Sequence, residues 1–505
     1  MRPEDACRYS VGMLPDASPL PDAGTSALPA AHLVAAGTAV QVLALVGDLS
    51  MGQPPHQSRR SAVLAARIAT LDGATADLIQ QAQLVAWLRW SGCTANAAGF
   101  ASLLGDDVGG REAMLRQALP EGHPLNFATV EPLARIHCEV AGDVAGMLGL
   151  PGGVETGLRH VWEHYDGSGV PQRLQGAAVP AVVYYSSLAG DLEIHARSHD
   201  IPFALEAVQR NGGIKYPAEL VSRVLPQAAE WLAALDEEAD GAAIPVGLPM
   251  HAVPLSIVAD LIELKLPWLT GYSRRVSELV QRAAVLAGLP VEQQERLARA
   301  ALIHGIGRAS VSNTIWEREG RPGQADWERI RLAPYWTARA GALIPGLHHE
   351  AALASQLYER LDGSGYFRGL DADMLGLPAR LLAAASVQAA LCARRPWREA
   401  YAPQAAGEVL QEQARLGRVD PEAVRWVLAA AAGEGVPLPV RKGLLSEREV
   451  EVLRRISLGE SNKEAARTMQ ISPSTVRTHV ESIFRKLRCS TRAAATLKGL
   501  HLGLI

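Results

Sequence analysis

The fold of the C-terminal region follows from residues 471–487, which read ISPSTVRTHVESIFRKL. Pro473 comes directly after Ser472 and falls at the first position of a helix, where its missing N–H leaves no hydrogen bond unmade. The apolar side chains that recur at spacings of three and four, and so should pack inward, are Val476, Val480, Ile483 and Leu487. The opposite face carries Thr475, Arg477, Thr478, Arg485 and Lys486. This stretch therefore predicts an amphipathic helix with a basic, hydroxyl-rich outer face.

Two shorter helices are predicted ahead of it. Ser446 and Glu449 have the spacing of a capping box, in which each side chain bonds the backbone N–H of the other residue. Gly459 ends that helix, where a positive φ is needed. Ser461 or Asn462 can cap the second helix. Its buried face would consist of Ala465, Ala466 and Met469. Two helices joined by a short turn, the second of them basic, are the arrangement with which a helix-turn-helix enters the major groove of DNA.

Charge is distributed unevenly along the chain. Residues 441–505 contain 13 Lys and Arg and six Glu, a net charge of +7, whereas the whole chain carries −4 and the first 440 residues therefore −11. A basic tail on an acidic body is expected when one module meets phosphates and the rest does not. The alternative is a small helical bundle with a solvated basic face. Double-stranded DNA is the predicted partner.

The C-terminal stretch closely resembles the LuxR-type DNA-binding domain, a four-helix module of bacterial regulators. The matching segments are 446–450, Gly459, 461–464, 471–472, 475–476, His479, 486–487 and Arg492. The resemblance implies that bases are approached by Thr475, Arg477 and Thr478. It implies that phosphates are approached by Lys463, His479, Lys486 and Arg492. It also implies that the last helix, at about 491–502, pairs with its copy in a homodimer.

Length and composition set limits on the rest of the chain. At 505 residues it should contain about three domains. A hydrophobic content of 48% with only 5% aromatic residues predicts cores of Ala, Leu and Val in an all-α fold. The five cysteines lie far apart without metal-ligand spacing, which indicates a reducing cytosol. The sequence shows neither a charged-then-apolar leader nor an apolar run of membrane length, so we expect a cytoplasmic protein without a membrane role.

An internal repeat organises the body of the chain. The sequence DGSG at 166–169 returns about 200 residues later at 362–365, each time after a helix and before an x-Pro-Ala helix start. Glycine supplies positive φ and aspartate bonds back to the local backbone, so both stretches are predicted to be turns. The predicted domains are a loose tail at 1–28, two similar helical domains at 30–235 and 250–430, and the DNA-binding module at 441–505.

The repeated body resembles the HD-GYP family, all-α metal-dependent phosphodiesterases that cleave cyclic dinucleotides. Residues 302–308, LIHGIGR, stand where the family has His-Asp-Ile-Gly-Lys, and 362–367, DGSGYF, replace its Asp-Gly-Ser-Gly-Tyr-Pro signature. Residues 321–328 and 395–398 also match. The resemblance covers roughly 270–400 and, more loosely, 50–200.

The metal ligands that this resemblance implies are largely replaced. A two-metal phosphodiesterase needs several His and Asp side chains that converge on the ions. At the ligand positions the second copy keeps His304 and otherwise has Tyr272, Gly305, Ala333, Leu357, Tyr358 and Ser386. The vestigial ligand or metal positions in the two copies are His56, His137, Asp191, Asp166, His304 and Asp362. Both copies are therefore interpreted as degenerate, with no metal, no cofactor and no catalytic residue.

These observations predict a transcriptional regulator that binds DNA and is not an enzyme. Its inactive helical body would sense a small-molecule or nucleotide ligand, or dimerise, or do both. A metal-dependent phosphohydrolase or cyclic-dinucleotide phosphodiesterase fused to a DNA-binding domain is one alternative, and a ligand-free dimer scaffold is another. A receiver domain and a P-loop ATPase would need sequence patterns that this chain lacks.

Overall fold

The computed structural model describes residues 32–237, 247–344, 346–433 and 444–505. Within these ranges the chain is almost entirely helical, which confirms the all-α prediction. The helices form two units of the body and a four-helix C-terminal module. The tail predicted at 1–28 lies outside the described residues, as do parts of the segments between the predicted domains.

The helices of the two units and of the module have the following boundaries. The first unit contains α1 (Ala36–Ser50), α2 (Gln57–Leu71), α3 (Ala76–Leu88), α4 (Ala97–Leu104), α5 (Gly109–Leu115), α6 (Phe127–Met147), α7 (Gly152–Arg159), α8 (Ala181–Ser198), α9 (Ile201–Arg210) and α10 (Ala218–Glu237). The second unit contains α11 (Ser256–Glu263), α12 (Tyr272–Leu286), α13 (Val291–Ile303), α14 (Asn313–Trp316), α15 (Gln324–Leu343), α16 (His348–Ala354), α17 (Leu377–Leu391), α18 (Pro403–Arg415) and α19 (Pro421–Ala432). The module contains α20 (Glu447–Ser457), α21 (Asn462–Met469), α22 (Pro473–Leu487) and α23 (Arg492–His501). None of the helices in the described ranges is long and apolar enough to span a bilayer.

Two short strands join the beginnings of the two units. Strand β1 (Leu33–Ala35) pairs antiparallel with β2 (Ala252–Pro254), so that Val34 lies opposite Val253. Because β1 leads into α1 and β2 leads into α11, the pairing places the first helices of both units side by side.

The starts of α2 and α12 are built alike, which shows the repeat in three dimensions. The residue before each helix has a positive φ, 79° at His56 and 73° at Gly271. The second residue of each helix, a serine, donates its backbone N–H to a buried carboxylate of the preceding helix, Asp48 at 3.1 Å or Glu263 at 2.6 Å. Equivalent positions in the two units can therefore be compared directly.

The two predicted turns are also built alike. Asp166 and Asp362 each accept the backbone N–H of the serine two residues on, at 2.8 and 3.0 Å. Just ahead of each turn, Glu163 and Glu359 each accept two backbone N–H bonds from residues nine and eleven positions later, at 2.6–3.0 Å. The turn prediction is confirmed, and the two glutamates that hold the following loops are an addition from the structure.

The two units share one core. A single cluster of buried apolar side chains runs through both and reaches the module through Ala494 and Leu497. At the junction of the units, Lys265 Nζ bonds the Asp107 carboxylate, and the two side chains are 1% and 0% exposed. Asp107 also accepts the backbone N–H of Asn313 at 2.7 Å. Removing one partner of such a buried charge pair is strongly destabilising. Because one partner comes from each unit, the two units form one packed body.

Candidate nucleic-acid interface and ligand cleft

Side-chain caps define the first two helices of the module. Ser446 and Glu449 form the predicted capping box, with N···O distances of 3.3 and 2.7 Å. The structure selects Ser461 rather than Asn462 as the cap of α21, and Glu464 completes a second box there. Sequence reasoning missed that box, although Glu464 follows Ser461 by the three residues that a capping box requires.

Helix α22 presents the predicted outer face to solvent. Ser472 caps it by accepting the N–H of Thr475 at 3.0 Å, and Pro473 occupies the first position. The apolar side chains predicted to pack inward are all buried: Val476, Val480, Ile483 and Leu487. The exposed residues of the outer face are Thr475, Arg477, Thr478 and Arg485. An exposed basic helix after a capped helix and a turn has the geometry of an element that enters a major groove.

Three of the predicted DNA-contacting residues, Arg477, Thr478 and Lys463, are exposed, and the contacts that the structure describes for their side chains are weak. Arg477 Nε lies 2.9 Å from the carboxylate of Glu481 one turn away, and both side chains are more than half exposed. Such surface pairs contribute at most about 1 kcal/mol. Thr478 bonds only a backbone carbonyl of its own helix, at 3.2 Å. Lys463, at the start of α21, is exposed. These groups can therefore turn to DNA at little cost.

Two other predicted phosphate contacts bond within the module. Lys486 Nζ lies 2.6 Å from the Glu449 carboxylate. Arg492 bonds a backbone carbonyl at 2.6 Å and the Asn462 side chain at 2.7 Å, which ties the start of α23 to α21. His479 is half-buried on α22. The structure thus brings the predicted set onto neighbouring helices, but Lys486 and Arg492 also stabilise the fold that presents it.

Helix α23 lies against the body. Every residue from 494 to 500 is buried. Lys498 Nζ lies 3.1 Å from the carboxylate of Asp143 on α6. Just before the helix, the Ser490 hydroxyl donates to Glu139, also on α6, at 3.0 Å. A homodimer that pairs α23 with its copy therefore requires this helix to leave the body.

In the second unit, His304 lies in a closed polar centre at the end of α13. Its Nδ1 donates to a backbone carbonyl at 2.6 Å, and its Nε2 accepts from Arg308 Nη2 at 3.0 Å. The same Nη2 donates to the Tyr358 hydroxyl at 2.9 Å. Tyr272 and Ser386 join their hydroxyls at 2.7 Å on the other side. Burial lowers the pKa of His304 to about 3, so its imidazole is neutral.

The residues of this centre do not fit a pair of metal ions. A guanidinium, that of Arg308, lies among the side chains that the HD-GYP resemblance places at ligand positions. Of these only His304 is a usual metal ligand, and both its ring nitrogens are engaged. Across the described ranges, no group of three or more His, Cys, Asp or Glu side chains could hold a metal ion.

An open cleft of about 740 Å³ adjoins the centre. Tyr358 and Tyr366 stack on its wall with ring centroids 5.0 Å apart, and Trp327 meets Tyr366 nearly edge-on at 6.0 Å. The charged residues of the wall are Glu328, Arg331, Glu359 and Arg360. Behind Tyr358, the buried Nη1 of Arg308 has no hydrogen-bond partner in the described structure. Nucleobases stack on aromatic rings, and phosphates bind guanidinium groups.

Sequence reasoning did not predict this cleft. Trp327 and Tyr366 belong to two separate motifs of the sequence, and the stacking of Tyr358 on Tyr366 follows from how the loop after α16 folds back. The available signal was the concentration of aromatic residues around the second DGSG turn in a chain with 5% aromatic residues.

In the first unit, three of the four vestigial positions, His137, Asp191 and His56, have separate surroundings, and the fourth, Asp166, belongs to the DGSG turn. His137 is buried, its Nε2 lies 2.9 Å from the carbonyl of Arg89, and burial lowers its pKa to about 3. Asp191 bonds Lys215 at 3.0 Å. Burial alone would raise the pKa of Asp191, but the cations of Lys215 and Arg89 lower it overall. His56 lines a different cavity, at the start of α2.

Two family patterns match the chain. The family described as HD domain matches residues 256–423, and the family described as bacterial regulatory proteins, luxR family, matches residues 443–498. The chain carries an HD domain and a LuxR-type domain. The HD domain coincides with the second unit, and the LuxR-type domain covers most of the C-terminal module. Both resemblances read from the sequence are confirmed.

Some individual relatives match the middle of the chain, and others match its C-terminal region. The 3′3′-cGAMP-specific phosphodiesterase 3 of Vibrio cholerae is 28% identical over 306 residues, which are 58% of this chain and 66% of that protein. The cyclic di-GMP phosphodiesterase response regulator RpfG of Xanthomonas campestris is 29% identical over 35% of this chain and 47% of its own length. The probable transcriptional regulatory protein NarL of Mycobacterium tuberculosis is 35% identical over 20% of this chain and 51% of its own length. The chain thus spans two thirds or less of these relatives.

A solved structure shares the fold of the body. It is a cyclic GMP-AMP-specific phosphodiesterase of Vibrio cholerae, with a TM-score of 0.56 and 21% sequence identity over 79% of this chain and 98% of its own. At this identity the similarity shows the fold alone.

The prediction that this chain is not an enzyme is overturned by these relatives. It rested on the loss of the ligands of one metal arrangement. The similarity to a protein named as a phosphodiesterase, however, extends over 58% of the chain. The loss of the known ligands concerns one way of activating water, whereas the similarity extends over more than half of the chain. Enzymatic activity is therefore plausible.

Proposed function

We propose that this chain is a transcriptional regulator that binds specific DNA through its LuxR-type domain and a cyclic dinucleotide through the cleft of its HD domain. The observation that carries the first half is α22, on which Thr475, Arg477 and Thr478 are all exposed at the capped end of one helix. Side chains of these types read base edges in the major groove. A matched relative of this domain is named as a probable transcriptional regulatory protein.

The cleft supports the second half of the proposal. Stacked Tyr358 and Tyr366, with Trp327 across from them, offer flat apolar surfaces for bases. Arg331 and Arg360 offer guanidinium groups for phosphates. A volume of about 740 Å³ lies within the range of small-molecule sites. The named substrates of the relatives, cyclic GMP-AMP and cyclic di-GMP, combine two bases with two phosphates and so suit such a wall.

Regulation would act through α23. The LuxR-type domain binds DNA as a homodimer in this proposal, and the dimer uses α23, which the body holds through Asp143 and Glu139. A ligand that favours the released form of the module would raise DNA affinity, and one that favours the docked form would lower it. A ligand can shift this equilibrium only by its difference in affinity for the two forms.

DNA recognition is tested by selecting duplexes from a random pool with the full chain. We expect an enriched, two-fold symmetric sequence, because dimers bind paired half-sites. The selected duplex is then titrated in fluorescence anisotropy with and without 3′3′-cGAMP. A pool that remains random after selection would remove the DNA-reading role of α22.

Ligand binding is tested by thermal unfolding with 3′3′-cGAMP, because a ligand bound only to the folded state raises its stability. Arg331→Gln removes a charge from the cleft. Arg425→Gln is the matched control, since both arginines are exposed and pair with a glutamate three residues earlier, at 3.3 and 3.1 Å. We expect Arg331→Gln to need about tenfold more ligand for the same shift and the control to behave as wild type. Equal shifts for both variants would move the ligand out of the cleft.

Hydrolysis of 3′3′-cGAMP is the second candidate, favoured by the relatives named as phosphodiesterases. Product formation is measured by chromatography with added Mn²⁺, with added Fe²⁺ and with a chelator. Trp327→Ala, at the cleft, and Trp397→Ala, a half-exposed tryptophan outside it, separate turnover in the cleft from a contaminant. Turnover lost only in Trp327→Ala would establish the enzyme, whereas binding without turnover would leave the regulator.

A further inference from the structure

A thiol, a thioether and an imidazole meet in the interior of the first unit. Cys93 Sγ lies 3.3 Å from Met51 Sδ and 3.6 Å from His137 Nδ1. The three residues are only 2%, 2% and 1% exposed. They come from separate places in the chain, namely the residue after α1, the short turn after α3 and the middle of α6. We propose that Cys93, Met51 and His137 bind one Cu(I) ion, at a site separate from the cleft of the HD domain.

The distances suit ligands of one ion. Bonds from sulfur and from imidazole nitrogen to a metal ion of this size are about 2.0–2.3 Å long, so ligand atoms around one ion lie about 3.3–4.0 Å apart. The distances from Cys93 Sγ to its two partners, 3.3 and 3.6 Å, fall within this range. An ion can therefore contact the sulfur of Cys93 together with either partner without movement of a helix.

The backbone determines which nitrogen of His137 faces the thiol. Burial lowers the pKa of His137, so the imidazole is neutral and carries a single ring proton. Nε2 lies 2.9 Å from the carbonyl of Arg89, which can only accept, so the proton is on Nε2. Nδ1 then directs its lone pair to Cys93. Metal-binding histidines are commonly held in this way, with the other ring nitrogen donating to a carbonyl.

Gly92 lets the turn that carries the thiol approach the histidine. A Cβ at this position would lie 2.3 Å from the carbonyl oxygen of His137, so any other residue would push α6 away. The HD domain has the same close approach, between Gly307 and the carbonyl of Ala333. This shared contact identifies His137 and Ala333 as equivalent positions of the two units.

The HD domain has different side chains at all three equivalent places. Asp48 and Glu263, which accept the same backbone bond in the two units, set the interval between the units in this region. The residues that stand in the HD domain in place of Met51, Cys93 and His137 are Leu266, Arg308 and Ala333. Neither a guanidinium nor an alkyl side chain offers a lone pair to a soft ion. The three donors are therefore a property of the first unit and not of the shared fold.

The kind of ion follows from the ligands. Thiolate and thioether sulfurs select soft ions such as Cu(I), and imidazole also suits copper. Because one of the three donors is a thioether, this cluster differs from the groups of His, Cys, Asp and Glu that hold harder ions. As the Cu–S bond forms, the proton of the Cys93 thiol leaves to solvent, and no electron is transferred.

The charges around the cluster favour a monovalent ion. Arg111, which is 1% exposed, donates to the carbonyls of Cys93 and Ser50 at 3.0 and 3.3 Å. When Cu(I) takes the place of the thiol proton, the net charge of the buried site does not change. A divalent ion such as Zn²⁺ would add a positive charge next to this guanidinium, and an unbalanced buried charge is costly.

The site is tested by anaerobic titration of the full chain with Cu(I) in competition with the chelator bicinchoninate. We expect one ion per chain to be held more tightly than any other. Cys93→Ser should lose this ion, and Met51→Leu, which removes a sulfur at similar volume, should bind it at least about tenfold more weakly. Cys392→Ser is the control, because Cys392 is an exposed thiol of the HD domain, and it should keep the affinity of wild type.

Thermal unfolding separates loss of the ion from loss of the fold. Cu(I) should raise the melting temperature of wild type, because an ion that binds only the folded state stabilises it. It should not raise that of Cys93→Ser. In the absence of copper, Met51→Leu should melt close to wild type, since the two side chains have similar volumes.

X-ray absorption at the copper edge identifies the ligands in the complex with one ion. We expect sulfur scatterers together with the imidazole of His137, and a spectrum with sulfur alone would overturn the three-ligand site. Equal affinity of wild type and Cys93→Ser for Cu(I), or loss of the tight ion in Cys392→Ser instead, would place the copper elsewhere and overturn the proposal. One equivalent of Zn²⁺ that prevents Cu(I) from binding would overturn the assignment of a monovalent ion.

Discussion

Helices α22 and α23 of the LuxR-type domain follow each other in sequence but have opposite surroundings. α22 exposes Thr475, Arg477 and Thr478 to solvent, whereas α23 is buried from residue 494 to residue 500 against its own domain and α6 of the body. The surface of α22 that would read DNA is thus exposed to solvent, whereas α23, the helix expected to form the dimer, is packed against the body. In the proposed mechanism, the body would control DNA binding through α23 without covering the surface of α22.

The largest effect is expected from removing the ion pair between α23 and the body. Asp143→Ala leaves Lys498 and Arg159, which bond this carboxylate at 3.1 and 2.7 Å, without their buried partner. Removing one member of a buried pair costs about 3–5 kcal/mol. We expect the module to detach, which small-angle scattering would show as a larger radius of gyration and analytical ultracentrifugation as a stronger tendency to dimerise.

Glu155→Gln is the control for that experiment, because Glu155 also bonds Arg159 at 2.8 Å but is partly exposed and far less buried than Asp143. It should leave the radius and the oligomeric state unchanged. Identical scattering curves for Asp143→Ala and wild type would mean that the apolar contacts of α23 hold it without the ion pair.

Arg477→Ala tests whether the exposed face of α22 reads the DNA. A base contact typically contributes about 1–3 kcal/mol, so affinity for the selected operator should fall about tenfold or more while non-specific binding changes little. Glu481→Gln, which removes the ion-pair partner of Arg477, should retain or improve operator affinity. If the operator is bound equally well by Arg477→Ala, another face of the module reads the DNA.

Acid should loosen the module through Glu449. Burial alone would raise the pKa of this carboxyl, but its bonds with Lys486, Ser446 and Ser482 lower it to about 2, below the usual value of 4.5. The unfolded state then binds more protons, so this contribution to stability is complete above about pH 4.5 and is lost as the pH falls toward 2. Glu449→Gln should flatten that dependence, measured by thermal unfolding between pH 2 and pH 6. A parallel pH dependence in wild type and variant would assign the acid sensitivity to other groups.

The smallest effect is expected for Lys463→Ala. Its exposed ammonium is a candidate phosphate contact, so its loss should weaken binding to all sequences and reduce the slope of log affinity against log salt by about 1. Titrations of operator and random duplex at several salt concentrations measure both quantities. A change restricted to the operator would make Lys463 a base contact instead.

The module was predictable in detail because its signals are local. Ser446 and Glu449, and Ser472 with Thr475, interact across three residues, so spacing alone identifies them. The non-local contacts were not predictable. Lys486 meets Glu449 from 37 residues away, and Ser490 meets Glu139 from 351 residues away. The docking of α23 depends on contacts of this second kind.

In the body, too, local contacts were predictable from the sequence and non-local contacts were not. The DGSG turns and the repeat follow from the sequence, because glycine and aspartate act on their immediate backbone. The sequence also shows that Gly305 and Ala333 stand at ligand positions. It does not show which side chains fill the space that the ligands would occupy. Arg308 bonding His304 and Tyr358, and the aromatic cleft beside them, depend on how α13 and the loop after α16 pack together. The inference from absent ligands to an absent activity is contradicted by the relatives that are named as phosphodiesterases.

The Lys265–Asp107 pair has a consequence for synthesis on the ribosome. Its two residues are 158 positions apart, which a ribosome covers in roughly 8–32 s at about 5–20 residues per second. Throughout that interval the emerging first unit holds a carboxylate whose ammonium partner has not yet been made. We expect the first unit to remain incompletely packed around Asp107 until Lys265 and Asn313 have left the exit tunnel. A ribosome stalled before that point should present a nascent chain that proteases cut near 107 and that released protein protects.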